Sequence, residues 1–164
     1  MTPLGVVLRG ALAGAAGTAA MDLALYLRHR AAGGSASPLA FEFGGSSDWE
    51  SVPAPAQVGR RLYEGLRQRP LDARRARLTN NIVHWGYGIA WGSAFGIVGG
   101  SLRSHRVVLG PVWGATVWAS SYVTLPLAGL YKPVWKYPIS ELAPDLGMHL
   151  VFGTTVERVF SALS

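Results

Sequence analysis

The segment Leu125–Glu157, LPLAGLYKPVWKYPISELAPDLGMHLVFGTTVE, decides how the chain is read. It closes one long apolar run, turns through a corner of proline, lysine and aromatic residues, and opens a second apolar run. That second run holds Glu141, Asp145, His149 and Glu157 at spacings of four and eight, which puts all four near one face of a helix. Pro144 weakens the link between Glu141 and the rest, because a helix tends to begin or kink at proline. Asp145 and His149 lie beyond it, within hydrogen-bonding reach of each other. A carboxylate beside histidine favours the imidazolium and burial disfavours it, so the surroundings of the pair decide whether His149 titrates near neutral pH. Ionisable groups inside apolar helices are costly, and they mark ion or proton paths or pair with one another across helices.

Working outward, the composition agrees with an apolar setting. Of 164 residues, 49% are hydrophobic and 15% charged, against about 25% charged in an ordinary soluble domain. Mean hydropathy is positive. The length predicts one domain. The formal net charge of +6 resides in basic residues flanking apolar segments, a placement that sets topology or meets anionic lipid. No base-stacking or groove-reading module is present, so nucleic acid is not an expected partner. The absence of cysteine removes disulfides, thiolate metal sites and a cysteine nucleophile.

These features predict an all-α polytopic membrane protein with four transmembrane helices, at about 4–27, 80–102, 107–130 and 139–163. A spanning helix needs about 20 apolar residues. Between Gly10 and Leu27 only Asp22 is charged. A signal peptide is the competing reading of this run, although Arg9 makes a thin n-region and no compact leucine-rich core follows. Small residues recur every fourth position: Gly10, Gly14 and Thr18, then Gly88, Gly92, Gly96 and Gly100, then Gly110 and Gly114. In a soluble helix each glycine costs about 1 kcal/mol; in a bilayer such rows let a neighbouring backbone approach. These are the expected packing faces.

Residues 28–79 are different in kind and predict a loop. Arg28-His29-Arg30 closes the first run, and AAGGSASP reads as turns. Phe41, Phe43 and Trp49 alternate with Glu42, Asp48 and Glu50, an acidic-aromatic patch suited to an interface. At about 55–68, Val58, Leu62 and Leu66 recur among Arg60, Arg61 and Arg67. That is an amphipathic helix suited to a membrane surface or to packing on the loop itself. Asp72 reads as an N-cap. Ser101–Arg106, holding Arg103 and His105, is a short turn. Pro126 frays or kinks the third helix, and Tyr131, Trp135 and Tyr137 with Lys132 and Lys136 form an interfacial belt. Eleven lysines and arginines stand in 28–79 and 131–137, against four elsewhere (Arg9, Arg103, Arg106, Arg158). The positive-inside rule then places both loops in the cytoplasm and both termini outside.

Two pieces recur in the same order. Gly10-Ala-Leu-Ala-Gly14-Ala15 is matched by Gly110-Pro-Val-Trp-Gly114-Ala115, and His84-Trp-Gly-Tyr-Gly88 by His149-Leu-Val-Phe-Gly153. Each unit is a two-helix hairpin, so copies would be a parallel repeat about an axis along the membrane normal. Chance similarity between glycine-rich helices is the rival explanation.

The opening segment resembles the YagU-like family of bacterial inner-membrane proteins, whose biochemical function is unassigned. The resemblance rests on Pro126-Leu127, Gly129-Leu130, Pro133, Trp135, Pro138 and Glu141, then on His149-Leu150-Val151 with Asp145 four residues before and Glu157 eight after, and more loosely on His84 with Tyr87. The strings PAPAQVG (53–59) and NNIVHWGYG (80–88) are similar to those of uncharacterised actinobacterial membrane proteins. The resemblance implies a bacterial inner-membrane location and brings no activity. The loop 28–79 departs from the family pattern.

The candidate polar seam is therefore His149, Asp145, Glu141, Glu157 and His84, joined by Asp22 from the first helix. Bundle di-iron sites use Glu-x-x-His on two helices. Here the acid stands four residues before His149, and His84 has Asn80 in the three-before place. No metal ligand set, cofactor or catalytic residue is assigned, and no nucleophile elbow, phosphate loop or HExxH motif occurs. The expected role is an integral accessory or scaffold protein that forms homo- or hetero-oligomers or binds a membrane partner through its glycine faces. The alternatives are a small proton-coupled carrier or channel-like protein, and a metal-dependent or lipid-modifying membrane enzyme.

Overall fold

The computed structural model describes residues 2–44, 48–102 and 106–164. Among them helix is the only regular structure. There are six α-helices: α1 (Pro3–Ala31), α2 (Pro38–Phe43), α3 (Ala54–Arg67), α4 (Ala76–Ser101), α5 (Arg106–Leu127) and α6 (Ile139–Ala162). Single 3-10 turns stand at Ala73–Arg75 and Val134–Lys136. The chain is all-α, and each of the four long apolar runs is one long helix. By length and composition one of them, α1, is long and apolar enough to cross a membrane. α4 and α5 interleave aliphatic residues with Gly, Ser, Trp and Tyr, and α6 carries Glu141, Asp145, His149, Glu157 and Arg158, which dilutes their apolarity over a spanning length.

Helix ends follow local chemistry and move several expected boundaries. α1 continues through Arg28, His29 and Arg30 and stops where Gly33 takes φ +88°. There the Gly33 N–H donates to Arg30 O and the Gly34 N–H to His29 O. α5 stops at Leu127, short of 130, by the same device. Gly129 takes φ +66°, its N–H donates to Pro126 O, and the Leu130 N–H donates to Leu125 O. Both are Schellman ends, which need a residue free to adopt the left-handed region. Asp72 caps as expected: its Oδ1 accepts the Arg74 N–H at 2.9 Å, and the 3-10 turn leads into α4. α2 was not anticipated. Ser37 Oγ accepts the Ala40 N–H at 3.2 Å and Pro38 opens the helix, a Ser-Pro start that pre-sets the first turn. Arg103 and His105 of the expected turn lie outside the described residues.

The chain divides into two compact units, Met1–Leu25 with Tyr87–Ser164, and Tyr26–Gly86. In the first, two pairs of helices meet backbone to backbone. A Cβ on Gly10 would press on Gly92 O, with Ser93 Cα and Gly96 Cα at 3.0 Å. A Cβ on Gly14 would press on Gly88 O, with Gly92 Cα at 3.0 Å. On α5, a Cβ on Gly110 would meet Gly153 O at 3.1 Å, with Thr154 Cα and Glu157 Cβ at 3.0 Å. One on Gly114 would press on His149 O, with Leu150 Cα at 3.1 Å. Partner numbers fall as these numbers rise, so both crossings are antiparallel. The glycine faces expected to serve oligomerisation are thus occupied within the chain. Around them sits a small core of Ala13, Phe95, Val117, Phe152, Val156 and Phe160. Phe95 meets Trp113 and Phe160 edge-on at 5.5 and 5.7 Å.

In the second unit Phe41, Glu42 and Trp49 of the acidic-aromatic patch make contacts within the unit, while Phe43, Asp48 and Glu50 are exposed. Phe41 packs on Tyr26 and His29 at 5.5 and 5.1 Å. The Trp85 indole N–H donates to Glu42 at 3.3 Å, and that of Trp49 to Leu71 O at 3.1 Å. Arg60 lies over the Trp49 ring. α3 seats Ala56 and Gly59 inward, Gly59 against Thr79 and Val83 of α4. Glu64 accepts from the Leu71 N–H and from Arg60, each at 3.0 Å. These bonds, the Leu71 one foremost, hold its carboxyl below the usual range.

Two outcomes are expected. Gly153→Ala should destabilise by ~1–3 kcal/mol through backbone overlap. Gly147→Ala, on the same helix with nothing within 4 Å, should be neutral or stabilise by up to ~1 kcal/mol; thermal unfolding in mild detergent compares them. For Glu64, a lowered folded-state pKa means its stabilisation is present above the ordinary 4.5 and lost as pH falls through the lowered value. Acid titration of the Leu71 amide resonance should show a midpoint below 4.5, and Glu64→Gln should abolish that step.

Candidate functional site

The site forms where α5 and α6 approach the corner that joins them. α6 begins behind Pro138, and Pro144 lies inside it without ending it. Proline there forfeits the hydrogen bond to the carbonyl four residues back, which belongs to exposed Ser140. Glu141, Asp145 and His149 therefore share one helix, although Pro144 was expected to weaken the link to Glu141.

Asp145 is the centre. Its Oδ2 accepts the Trp118 indole N–H at 3.0 Å and the Tyr122 hydroxyl at 2.9 Å. Both donors come from α5, one helical turn apart, with rings 5.1 Å from each other. The carboxylate is thus a tie between two helices. Oδ1 lies 3.5 Å from His149 Nδ1, while that nitrogen stands 2.9 Å from the Asp145 backbone carbonyl. A carbonyl can only accept, so Nδ1 carries the hydrogen and gives it to the backbone. The His149 side chain is 15% exposed and that of Asp145 36%.

The corner brings two further tyrosines against Tyr122. Tyr122 touches Tyr131 and Tyr137, each at 5.5 Å between ring centres. The Tyr137 hydroxyl accepts the Lys132 N–H at 3.1 Å. Burial raises the Tyr131 pKa above its usual value, and the Asp145 carboxylate and Tyr137 add to the rise. The expected belt is therefore split: Tyr131 and Tyr137 pack on Tyr122, and Trp135 stands outward at 80% exposure.

The rest of the expected seam is dispersed. Glu157 is buried at the Gly110 crossing, bonded to Ser161 Oγ at 3.0 Å and 3.5 Å from Arg158 Nε. Glu141 is exposed in the first turn of α6, where an acid suits the helix N-terminus. Asp22 is half-buried on α1, and His84, half-buried on α4, belongs to the second unit. Among the described residues no three His, Asp or Glu side chains gather as metal ligands. Trp118 and Tyr122 were missed by the sequence reading. Their signal was present: two hydrogen-bonding aromatics one turn apart on a helix whose hairpin partner carries a carboxylate. Ser120 and Ser121 bond back to Val117 O at 2.7 and 3.2 Å.

No family model, curated protein or solved structure matches this chain.

Asp145→Ala should strand two donors and cost ~1–3 kcal/mol for each, with Asp145→Asn milder because its amide oxygen still accepts. In a Trp118→Phe/Tyr122→Phe background the Asp145→Ala penalty should shrink, giving a coupling energy of ~0.5–3 kcal/mol. Equal penalties in both backgrounds, read by chemical unfolding, would remove the tie.

Proposed function

We propose that the chain is an integral protein of a bacterial inner membrane with four spanning helices, acting as an accessory or scaffold protein that oligomerises or holds a membrane partner. The observation that supports this most is the placement of residue sizes in the first unit. Its helices meet through Gly10, Ala13, Gly14, Gly92, Gly114 and Gly153. Its large aliphatic side chains point away: Leu12 is 61% exposed beside fully buried Ala13, and Leu4, Leu8, Ile97, Val112 and Val123 are likewise exposed. In water that arrangement leaves the strongest apolar surface unburied. In a bilayer it is the favoured one, because lipid tails cover leucines while backbone contact holds helices together. The likeness of Leu125–Glu157 to the YagU-like family belongs to the same proposal, as does the orientation with 28–79 and 131–137 in the cytoplasm.

A structural rather than chemical role follows from the Asp145 site. Its carboxylate is engaged by donors from the neighbouring helix, and His149 directs its Nδ1–H to backbone. That is how an interhelical tie is built; a proton relay would align the imidazole with the carboxylate. Since the glycine rows are spent inside the chain, a membrane partner would meet the outward aliphatic faces.

The two crossings also support an internal parallel repeat, in a register different from the one that letter matching suggests. Gly92 meets Gly10 O and Gly14 N and Cα; Gly153 meets Gly110 O and Gly114 N and Cα. Gly10 faces Gly92, Ser93 and Gly96; Gly110 faces Gly153, Thr154 and Glu157. Contact therefore equates Gly92 with Gly153 and Gly88 with His149, one helical turn from the sequence pairing of Gly88 with Gly153.

Membrane insertion is tested by alkaline extraction and by reporters at Ser164 and within 33–34. The protein should stay in the membrane fraction, with the Ser164 reporter outside and the 33–34 reporter cytoplasmic. Release by alkali would sink the integral reading, and a cytoplasmic Ser164 would reverse the orientation.

A further inference from the structure

We propose that α3 is a docking surface for anionic lipid, lying along the bilayer with Leu62 and Leu66 in the headgroup boundary; this rests on the membrane reading above. α3 has two apolar flanks, and the fold uses one. Ala56 and Gly59 are buried, the latter against Thr79 and Val83 of α4. The other flank, Val58, Leu62 and Leu66, recurs at every fourth position, which stands these residues in a row. Leu62 is 59% exposed and Leu66 83%. Two leucines one turn apart on a short helix are a costly display in water. They are the usual anchor of a helix lying in a membrane interface.

Charge selects the occupant. The unit Tyr26–Gly86 holds nine arginines against five acids. Glu64, the one acid on α3, already accepts from the Leu71 N–H and Arg60. Arg61 precedes Leu62 on the exposed side, and Arg67, Arg69, Arg74 and Arg75 are exposed along and beyond the helix end. An apolar row bordered by guanidinium groups matches an acyl boundary bordered by phosphates, with the arginine stems lying along the apolar layer. A protein partner would have to match the same leucines with a cleft and supply carboxylates in a similar density. A bilayer containing anionic lipid supplies both without a dedicated shape.

The test uses the full chain, which has no cysteine, so a single introduced cysteine carries a spin label without competition. Leu66→Cys and, as reference, Leu12→Cys are labelled and reconstituted into neutral bilayers and into bilayers with about one-third phosphatidylglycerol. Accessibility to oxygen and to a water-soluble nickel chelate is then measured. The Leu66 label should be lipid-shielded in anionic bilayers and return to water in neutral ones or in high salt. Arg61→Gln/Arg69→Gln should lower the docked-to-undocked ratio roughly fivefold per arginine, about 25-fold together. The Leu12 label should stay in hydrocarbon throughout. A Leu66 label in water while Leu12 is in hydrocarbon overturns the docking proposal alone. Both labels in water overturn the docking and the membrane reading together. A Leu66 label shielded equally in neutral lipid, and indifferent to salt and to the arginine changes, is covered by protein and overturns the lipid assignment.

Discussion

Everything in the first unit depends on two backbones being able to touch. At Gly14 against Gly88 and Gly92, and at Gly114 against His149 and Gly153, the helices approach so closely that a methyl group would overlap main-chain atoms. This contact distance fixes what else the helices can do. Once the inner face of a helix is glycine and alanine, its larger residues must lie elsewhere, and Leu4, Leu8 and Leu12 take the outer face of α1. Gly17 extends the same logic to α6, its missing Cβ leaving room for Phe152 and Val156. The buried aromatic and aliphatic core can therefore be small, because cohesion comes from dispersion along close-packed backbones rather than from a bulky apolar centre.

The Asp145 network begins where this mode of packing ends. Along α5 the contacts to α6 run from Gly110 and Gly114, which touch backbone, to Trp118 and Tyr122, which hydrogen-bond to a side chain. A carboxylate is well suited to that change. It reaches where backbones carrying large side chains cannot meet, and one oxygen can take two donors. Within an apolar surrounding each such bond is strengthened, and each loss leaves a polar group unpaired. The tyrosines of the corner pack on Tyr122, and burial of Tyr131 there raises its own pKa. The polar residues of α6 are thus used one at a time: Asp145 for α5, Glu157 for Ser161 and Arg158, Glu141 for the helix start.

Much of the architecture was legible because helix length and small-residue spacing are local properties. The four long helices, α3 and the Asp72 cap fall within a few residues of where periodicity and turn chemistry put them. Boundaries erred where a later glycine decided the end, as at Gly33 and Gly129, or where Pro144 was credited with more disruption than the first turns of a helix suffer. The site was half legible. The i, i+4 spacing brought Asp145 to His149, but spacing on one helix says nothing of the helix across from it, so Trp118 and Tyr122 were invisible. The acidic-aromatic patch was half legible for the same reason: Phe43, Asp48 and Glu50 are exposed, but Phe41, Glu42 and Trp49 look like surface until Tyr26, Trp85 and Arg60 are brought to them.

Letters and contacts pick different registers when the two crossings are compared. Gly88, Gly92, Gly96 and Gly100 form a row in which a slide of four residues lands glycine on glycine, so α4 alone leaves the choice of turn open. α6 has no such row. Gly147 lies off the interface with nothing near it, and Gly153 is the position whose Cα sits against Gly114. That single glycine sets the register of the second hairpin, and the position one turn earlier, which is Gly88 in the first, must be His149. Only its backbone carbonyl can occupy the crossing, so the imidazole is turned aside along the helix, toward Asp145. The letter match of His84-x3-Gly88 with His149-x3-Gly153 therefore runs one helical turn out of step with the contacts.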